Sequence, residues 1–215
     1  MKKIKATRNK IIALLILVII FLFGIYTFRY SVNSSYKISS HGDIPTLKIG
    51  RHVTVSKLAY DFRFPIIGKL IKRNDPVRGD LIVFIPPDGS SKFYVKRVIG
   101  VPGDKIRIAG DRLYINERLV EKEQIPFSPT MDDIDNKEEY NSNKYALYNE
   151  NLEGTKHLVL QAKDRDSMLG NFSIEIKITE NSYFVMGENR DNSIDSRVFG
   201  LVGRNSIIGK VTLDK

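Results

Sequence analysis

The run IIALLILVIIFLFGIYTF, from Ile11 to Phe28, constrains this chain more than any other feature. It is 18 residues without a charge, close to the length needed to cross a hydrocarbon core about 30 Å thick. Cationic residues stand immediately before it, so the positive-inside bias makes residues 1–10 a basic cytoplasmic tail and 11–28 a single anchor. Everything after Arg29 is then expected outside. The alternative is a cleaved secretory signal, with Val32 and Ser34 as a weak small-residue site. Against it, the run exceeds the usual apolar core of about 7–15 residues, and Arg29 and Tyr30 interrupt the approach to that site.

This segment also explains the net charge. The formal +9 suggests a nucleic-acid binder until it is divided along the chain. Lys2, Lys3, Lys5, Arg8, Lys10 and Arg29 supply +6 within the first thirty residues, leaving 28 basic and 25 acidic residues in the rest. The basic signal is terminal, and no zinc-ligand set or aromatic-basic RNA signature accompanies it, which argues against nucleic acid as a partner. With no cysteine, an oxidising compartment poses no pairing problem.

Beyond a polar stretch at 29–37, read as a tether, residues 38–215 carry a mainly β pattern. HVTVSKLAY, DLIVFIPP, FYVKRVIGV, KIRIAG, RLYINERLV, HLVLQA and FSIEIKI are short, rich in β-branched and aromatic residues, and separated by Gly, Pro and Asp. Residues 128–151 are crowded with acids, Asn, Ser and Tyr, and read as an exposed insertion.

Three clusters carry possible chemistry: SSHGDIPTLKIG, FYVKRVIGVPGDKI and GENRDNSIDSRVFG. Lys96 and Arg97 are neighbours in an apolar strand, so if it lies flat on the core one of them is expected to point inward. A lysine in an apolar setting loses its charge readily and serves as a general base; the alternative is an edge lysine that snorkels to water. The third cluster reads either as a solvated loop or as a buried polar network in which Asp195 and Arg197 pair across a turn. His41 reads as an exposed loop residue rather than half of a Ser/His pair.

Taken together behind an anchor, these clusters resemble the bacterial type I signal peptidases, membrane-bound serine proteases that remove signal peptides from exported proteins. The resemblance runs from the anchor through IPTLKIGRHVTVSKLAY, PVRGDLIVF, YVKRVIGVPGD and GENRDNSIDSRVFG to IIGKV. It implies a coiled antiparallel β-sheet domain on the outer side of the bacterial cytoplasmic (inner) membrane, signal peptides and the bilayer as partners, and no metal or organic cofactor. It implies Lys96 as the general base, Ser193 as the hydroxyl that orients it, and Asp195 and Arg197 as a supporting ion pair. Ile38, Leu47, Tyr94 and Val95 fall where the family builds shallow pockets for small side chains. Glu188 stands where an Asp is usual.

One position departs sharply. The family's first motif reads Ser-Met-x-Pro-Thr, and alignment on Pro45, Thr46 and Leu47 puts Gly42 on the nucleophilic serine, Asp43 on the methionine and Ser39 on a preceding proline. Ser40 matches a serine that helps bind the oxyanion. Covalent catalysis needs an oxygen within reach of its base, and glycine has none, so activity is expected to be absent or weak. Ser40 remains open as an alternative nucleophile, although two residues along an extended chain displace its hydroxyl by roughly 6–7 Å. A family member that binds export substrates or a membrane partner without cleaving them is the second reading.

Overall fold

A computed structural model describes residues 2–63, 70–90, 92–127, 138–164 and 173–213. The apolar run lies in one helix, Lys2–Val32. Its Asn9–Tyr26 window has a mean hydropathy of 2.5, and none of it is buried against the rest of the chain. At 1.5 Å per residue, such a window is about 27 Å long, and a helix this apolar with no protein covering it is suited to lipid.

The tether expected at 29–37 is not a free linker. The helix continues to Val32, and Asn33–Lys37 is a strand pairing antiparallel with His52–Ser56. Backbone pairing rather than apolar content holds it, with Tyr36 packed edge-on against Phe93 at 5.3 Å. The helix therefore feeds directly into the edge of the largest sheet.

That sheet has seven strands in the order Asn33–Lys37, His52–Ser56, Ile207–Thr212, Leu81–Phe84, Tyr94–Gly100, Ser182–Met186 and Val202–Gly203, every neighbour antiparallel. Leu81–Phe84 shows why it is covered on both faces. All four residues are buried, with Ile82 and Phe84 joining Tyr60, Val98 and Val185 in one core, while Leu81 and Val83 join Ile38, Leu47, Val55 and Val211 in another. Alternation sends consecutive side chains to opposite faces, and here both faces are dry.

The same cover corrects the expectation for the next strand. Lys96 and Arg97 are both buried, 4% and 7% exposed, and each reaches a different acid. A four-stranded sheet (Ser173–Lys177, Lys105–Ala109, Arg112–Ile115, Arg118–Leu119) and a three-stranded one (Lys122–Ile125, Tyr145–Leu152, Thr155–Ala162) complete the domain.

The exposed insertion expected at 128–151 is overturned where its residues are described. Residues 128–137 lie outside the described residues. Tyr145–Leu152, however, is the central strand of the three-stranded sheet and buries Ala146, Leu147, Glu150 and Leu152. Tyr140 is fully buried as well, packed with Ile44, Leu147 and Leu160. The polar composition misled because the acid Glu150 is neutralised inside and the tyrosine is used as a core residue.

Candidate active site

The loop after Ile38 is closed at its base, where the Ile38 amide donates to the Arg51 carbonyl and the Gly50 amide donates back to the Ile38 carbonyl, both at 2.9 Å. Within it the Leu47 amide donates to the Asp43 carbonyl at 2.8 Å. The 187–197 loop grips it from the side. The Asn189 amide donates to the Gly42 carbonyl at 3.1 Å, Asn189 Nδ2 to the His41 carbonyl at 3.2 Å, and the Thr46 amide to Glu188 Oε2 at 3.2 Å. Glu188 is itself held by Arg97, through Nε at 3.0 Å and through Nη2. The approach is so close that a Cβ on Gly187 would collide with the Gly42 carbonyl oxygen and Ser193 Oγ. Only glycine suits that position.

Gly42 faces Lys96. An ideal Cβ built on it would lie 2.8 Å from Lys96 Nζ, 3.4 Å from Ser193 Oγ and 3.7 Å from the Asn192 carbonyl. The three chemistry-bearing clusters of the sequence thus converge on one point. Lys96 Nζ, however, donates at 2.8 Å to Asp43 Oδ2, and both side chains are buried. Ser193 was expected to orient Lys96, yet its buried Oγ has no hydrogen-bond partner among the described residues. The lysine donates to Asp43 instead, since a carboxylate outcompetes a neutral hydroxyl for an ammonium.

Burial pushes the Asp43 carboxyl up to about 6, with Lys96 opposing and the charges of Glu188 and Asp195 adding to the rise. Its second oxygen, Oδ1, is buried without a partner among the described residues. Asp195 is different. Burial also works to raise it, but Arg197, the Gly187 amide and Lys96 more than offset this and hold it below the usual carboxylate range. Arg197 bonds it through Nε and Nη2 at 2.8 and 2.7 Å, and Asp195 also caps the short Ser196–Phe199 helix. This is the ion pair that the sequence suggested.

A groove of about 600 Å³ opens over this point, a size suited to a few residues of an extended peptide. Ile38, Tyr94 and Val95 line it, together with Ser40, Gly42, Lys96 and Ser193. Leu47 does not; it lies behind the wall, packed with Ile38, Val53 and Val55. Ser40 is exposed along the groove. His41 is half-buried rather than an exposed loop residue, its ring 5.3 Å from that of Tyr140. No group of three metal-binding side chains occurs among the described residues.

Sequence reasoning missed three features. Asp43 was visible as a departure, but not its bond to Lys96. Arg97 was visible as a strand cation, but not its acid Glu188, which is 91 residues away. The buried Glu150 faces His157, whose Nε2 is 3.3 Å away, across one hairpin, but the Arg190 that grips it stands 40 residues on and gave no local signal.

The family model described as signal peptidase, peptidase S26, matches residues 8–214. A signal peptidase I of Pseudomonas aeruginosa is 34% identical over 206 residues, covering 88% of this chain and 66% of its own length. Those of two Buchnera aphidicola subspecies, from Schizaphis graminum and Acyrthosiphon pisum, are 32% and 31% identical, covering 88% and 97% of this chain and 70% and 77% of their own. A solved signal peptidase I from Enterococcus faecalis V583 is 27% identical, covers 65% of this chain and 98% of its own, and has a TM-score of 0.36. On the family match and the sequence relatives, this chain belongs to the signal peptidase family, peptidase S26.

Proposed function

We propose that this protein is a membrane-anchored signal-peptidase relative that holds the extended, small-residue segment of exported preproteins in its groove and does not cleave it by an acyl-enzyme route. One observation carries the reading: the atoms of the expected dyad are not available as a dyad. Position 42 has no hydroxyl, and the amine that would take its proton is bonded to Asp43 at 2.8 Å. A nucleophile needs a base within about 2.6–3.2 Å, and here the base has a carboxylate at that distance instead. Ile38, Tyr94 and Val95 along the groove support this reading, since an extended segment can lay small side chains against them.

The basic tail and apolar helix support a cytoplasmic N-terminus with the domain outside. Protease added to cells with a permeabilised outer membrane should degrade the domain; protection there, with degradation after lysis, would reject this orientation. The functional test uses the full chain in detergent micelles with a model preprotein. Binding without cleavage is expected. Efficient cleavage that Ser40→Ala abolishes would show that the nucleophile has moved to Ser40 and overturn the reading.

A further inference from the structure

We propose that Asp43 is the positioning residue of Lys96, and that Gly42 and Asp43 work as one device which pins the lysine amine to the floor of the groove. The inference rests on the reading of this groove as a non-cleaving peptide site and names what has become of its base. Two adjacent departures from the family motif have one structural explanation. Lys96 Nζ stands 2.8 Å from the point where any Cβ at position 42 would sit, closer than carbon and nitrogen pack without something shifting. With no Cβ at position 42, the flexible end of Lys96 reaches this point without having to give way. Asp43, the next residue, supplies the carboxylate that holds it there.

The surroundings make the pair self-contained. Glu188 and Asp195, the other acids near Asp43, are each bonded to an arginine of their own, Arg97 and Arg197. Ser193 offers only a neutral hydroxyl. The pair cancels its own charge, so a peptide in the groove meets a neutral floor, which suits uncharged small side chains. With the carboxyl at about 6, Asp43 is ionised at neutral pH and the pair is formed.

Acylation by an amine-selective ester tests this, because only the uncharged amine reacts. The full chain in detergent micelles is labelled between pH 6.5 and 9.5, and Lys96 is read by mass spectrometry against the exposed Lys92 and Lys156. Loss of an adjacent opposite charge changes the balance between charged and neutral forms about tenfold or more. Asp43→Asn should therefore move the labelling profile of Lys96 to lower pH by about one unit, with Lys92 and Lys156 unchanged and Asp43→Glu retaining protection. A change confined to packing would alter the amount of labelling but not its pH midpoint. Should Asp43→Asn fail to fold by circular dichroism, Asp43→Met decides the matter, since it too removes the carboxylate; the same shift is expected. An unmoved Lys96 profile in the folded variant overturns the proposal. Peptide binding is measured separately, so its failure rejects the functional reading without altering the labelling result.

Discussion

Asp43 beside Lys96 and Glu150 beside Arg190 are both carboxylates sunk out of water against a cation, and their acidities lie on opposite sides of the ordinary value. Burial raises both. For Asp43 it wins, leaving the carboxyl at about 6; for Glu150, Arg190 and His157 more than offset it and hold the carboxyl down at about 2. The difference lies in how fully the charged form is bonded. Glu150 receives Arg190 on both oxygens, Nη1 on Oε1 at 2.9 Å and Nη2 on Oε2, with His157 Nε2 3.3 Å from Oε2. Asp43 has one bond, on Oδ2, an unpartnered Oδ1, and two acids nearby. A forked guanidinium fixes a buried carboxylate, whereas a single ammonium leaves it poised. The first arrangement braces the three-stranded sheet against the 187–197 loop; the second sits where the chemistry of the family would occur.

The largest expected consequence is in stability. Glu150→Ala strands a buried guanidinium that cannot shed its proton, and should cost about 3–5 kcal/mol. Asp43→Asn keeps a carboxamide oxygen beside a lysine that can shed its proton, and should cost less. Urea unfolding of the full chain in micelles, followed by circular dichroism, measures both. Equal losses would break the distinction between a fixed and a poised pair.

Acid should separate the two pairs with opposite signs. A carboxyl held low stabilises the fold above its unfolded value, and this contribution is lost as pH falls through the folded value. For Glu150 that window runs from about 4.5 down to about 2 and involves about 3 kcal/mol. His157, lowered by burial, adds to the acid sensitivity because its protonation is also disfavoured in the fold. A carboxyl held high does the reverse: the contribution of Asp43 is present below about 3.8 and lost as pH rises through about 6. Stability measured from pH 2 to 7 should lose its acid-side slope in Glu150→Gln and the opposing trend in Asp43→Asn. A profile unchanged by both variants would refute the contrast.

Converting the poised pair into a dyad should show in cleavage. Gly42→Ser alone places its Cβ against an amine that Asp43 holds in position, so the new hydroxyl meets a lysine already engaged by a carboxylate. Gly42→Ser with Asp43→Met frees the lysine, and preprotein cleavage should exceed either single variant by about 100-fold, the lower end of what a positioned base supplies. Similar activity in Gly42→Ser alone would show that Asp43 does not restrain Lys96. An inert but folded double variant would mean that the site has lost more than these two residues.

Much of this was legible in the chain because it is local. Alternating runs such as HVTVS and KIRIA became strands, and the apolar run became a helix, since period and composition act over a few residues. The convergence of Gly42, Lys96 and Ser193 followed from a resemblance, not from periodicity. What was not legible depends on partners distant in sequence. Asp43 stood only as a departure from the motif's methionine until Lys96, 53 residues on, supplied its partner. Only one of Lys96 and Arg97 was expected inside until the second face of the sheet proved covered. Tyr140 lay in a stretch whose composition resembles a disordered loop, and only packing against Ile44 and Leu160 shows that it belongs to the core.

Tyr140 also links the two regions, which gives the smallest effect and the finest test. Its ring fills the core beside Leu147, three residues before Glu150, while its hydroxyl accepts from Asn192 Nδ2 at 2.8 Å. The carbonyl of that same Asn192 faces Gly42, and the Tyr140 ring lies against His41. Tyr140→Phe keeps the ring and removes only the oxygen, so the Asn192 amide loses an acceptor at a cost of about 1 kcal/mol. The ion pair at the groove floor does not pass through this bond, and the Lys96 labelling profile should stay where it is in the unmodified protein. A stability loss of about 3 kcal/mol or more, the scale of removing an aromatic ring outright, would mean that the hydroxyl holds the whole 187–197 loop in place. A shifted Lys96 profile would go further, because the poised pair would then depend on the same brace that fixes Glu150, and the two regions would have to be treated as one.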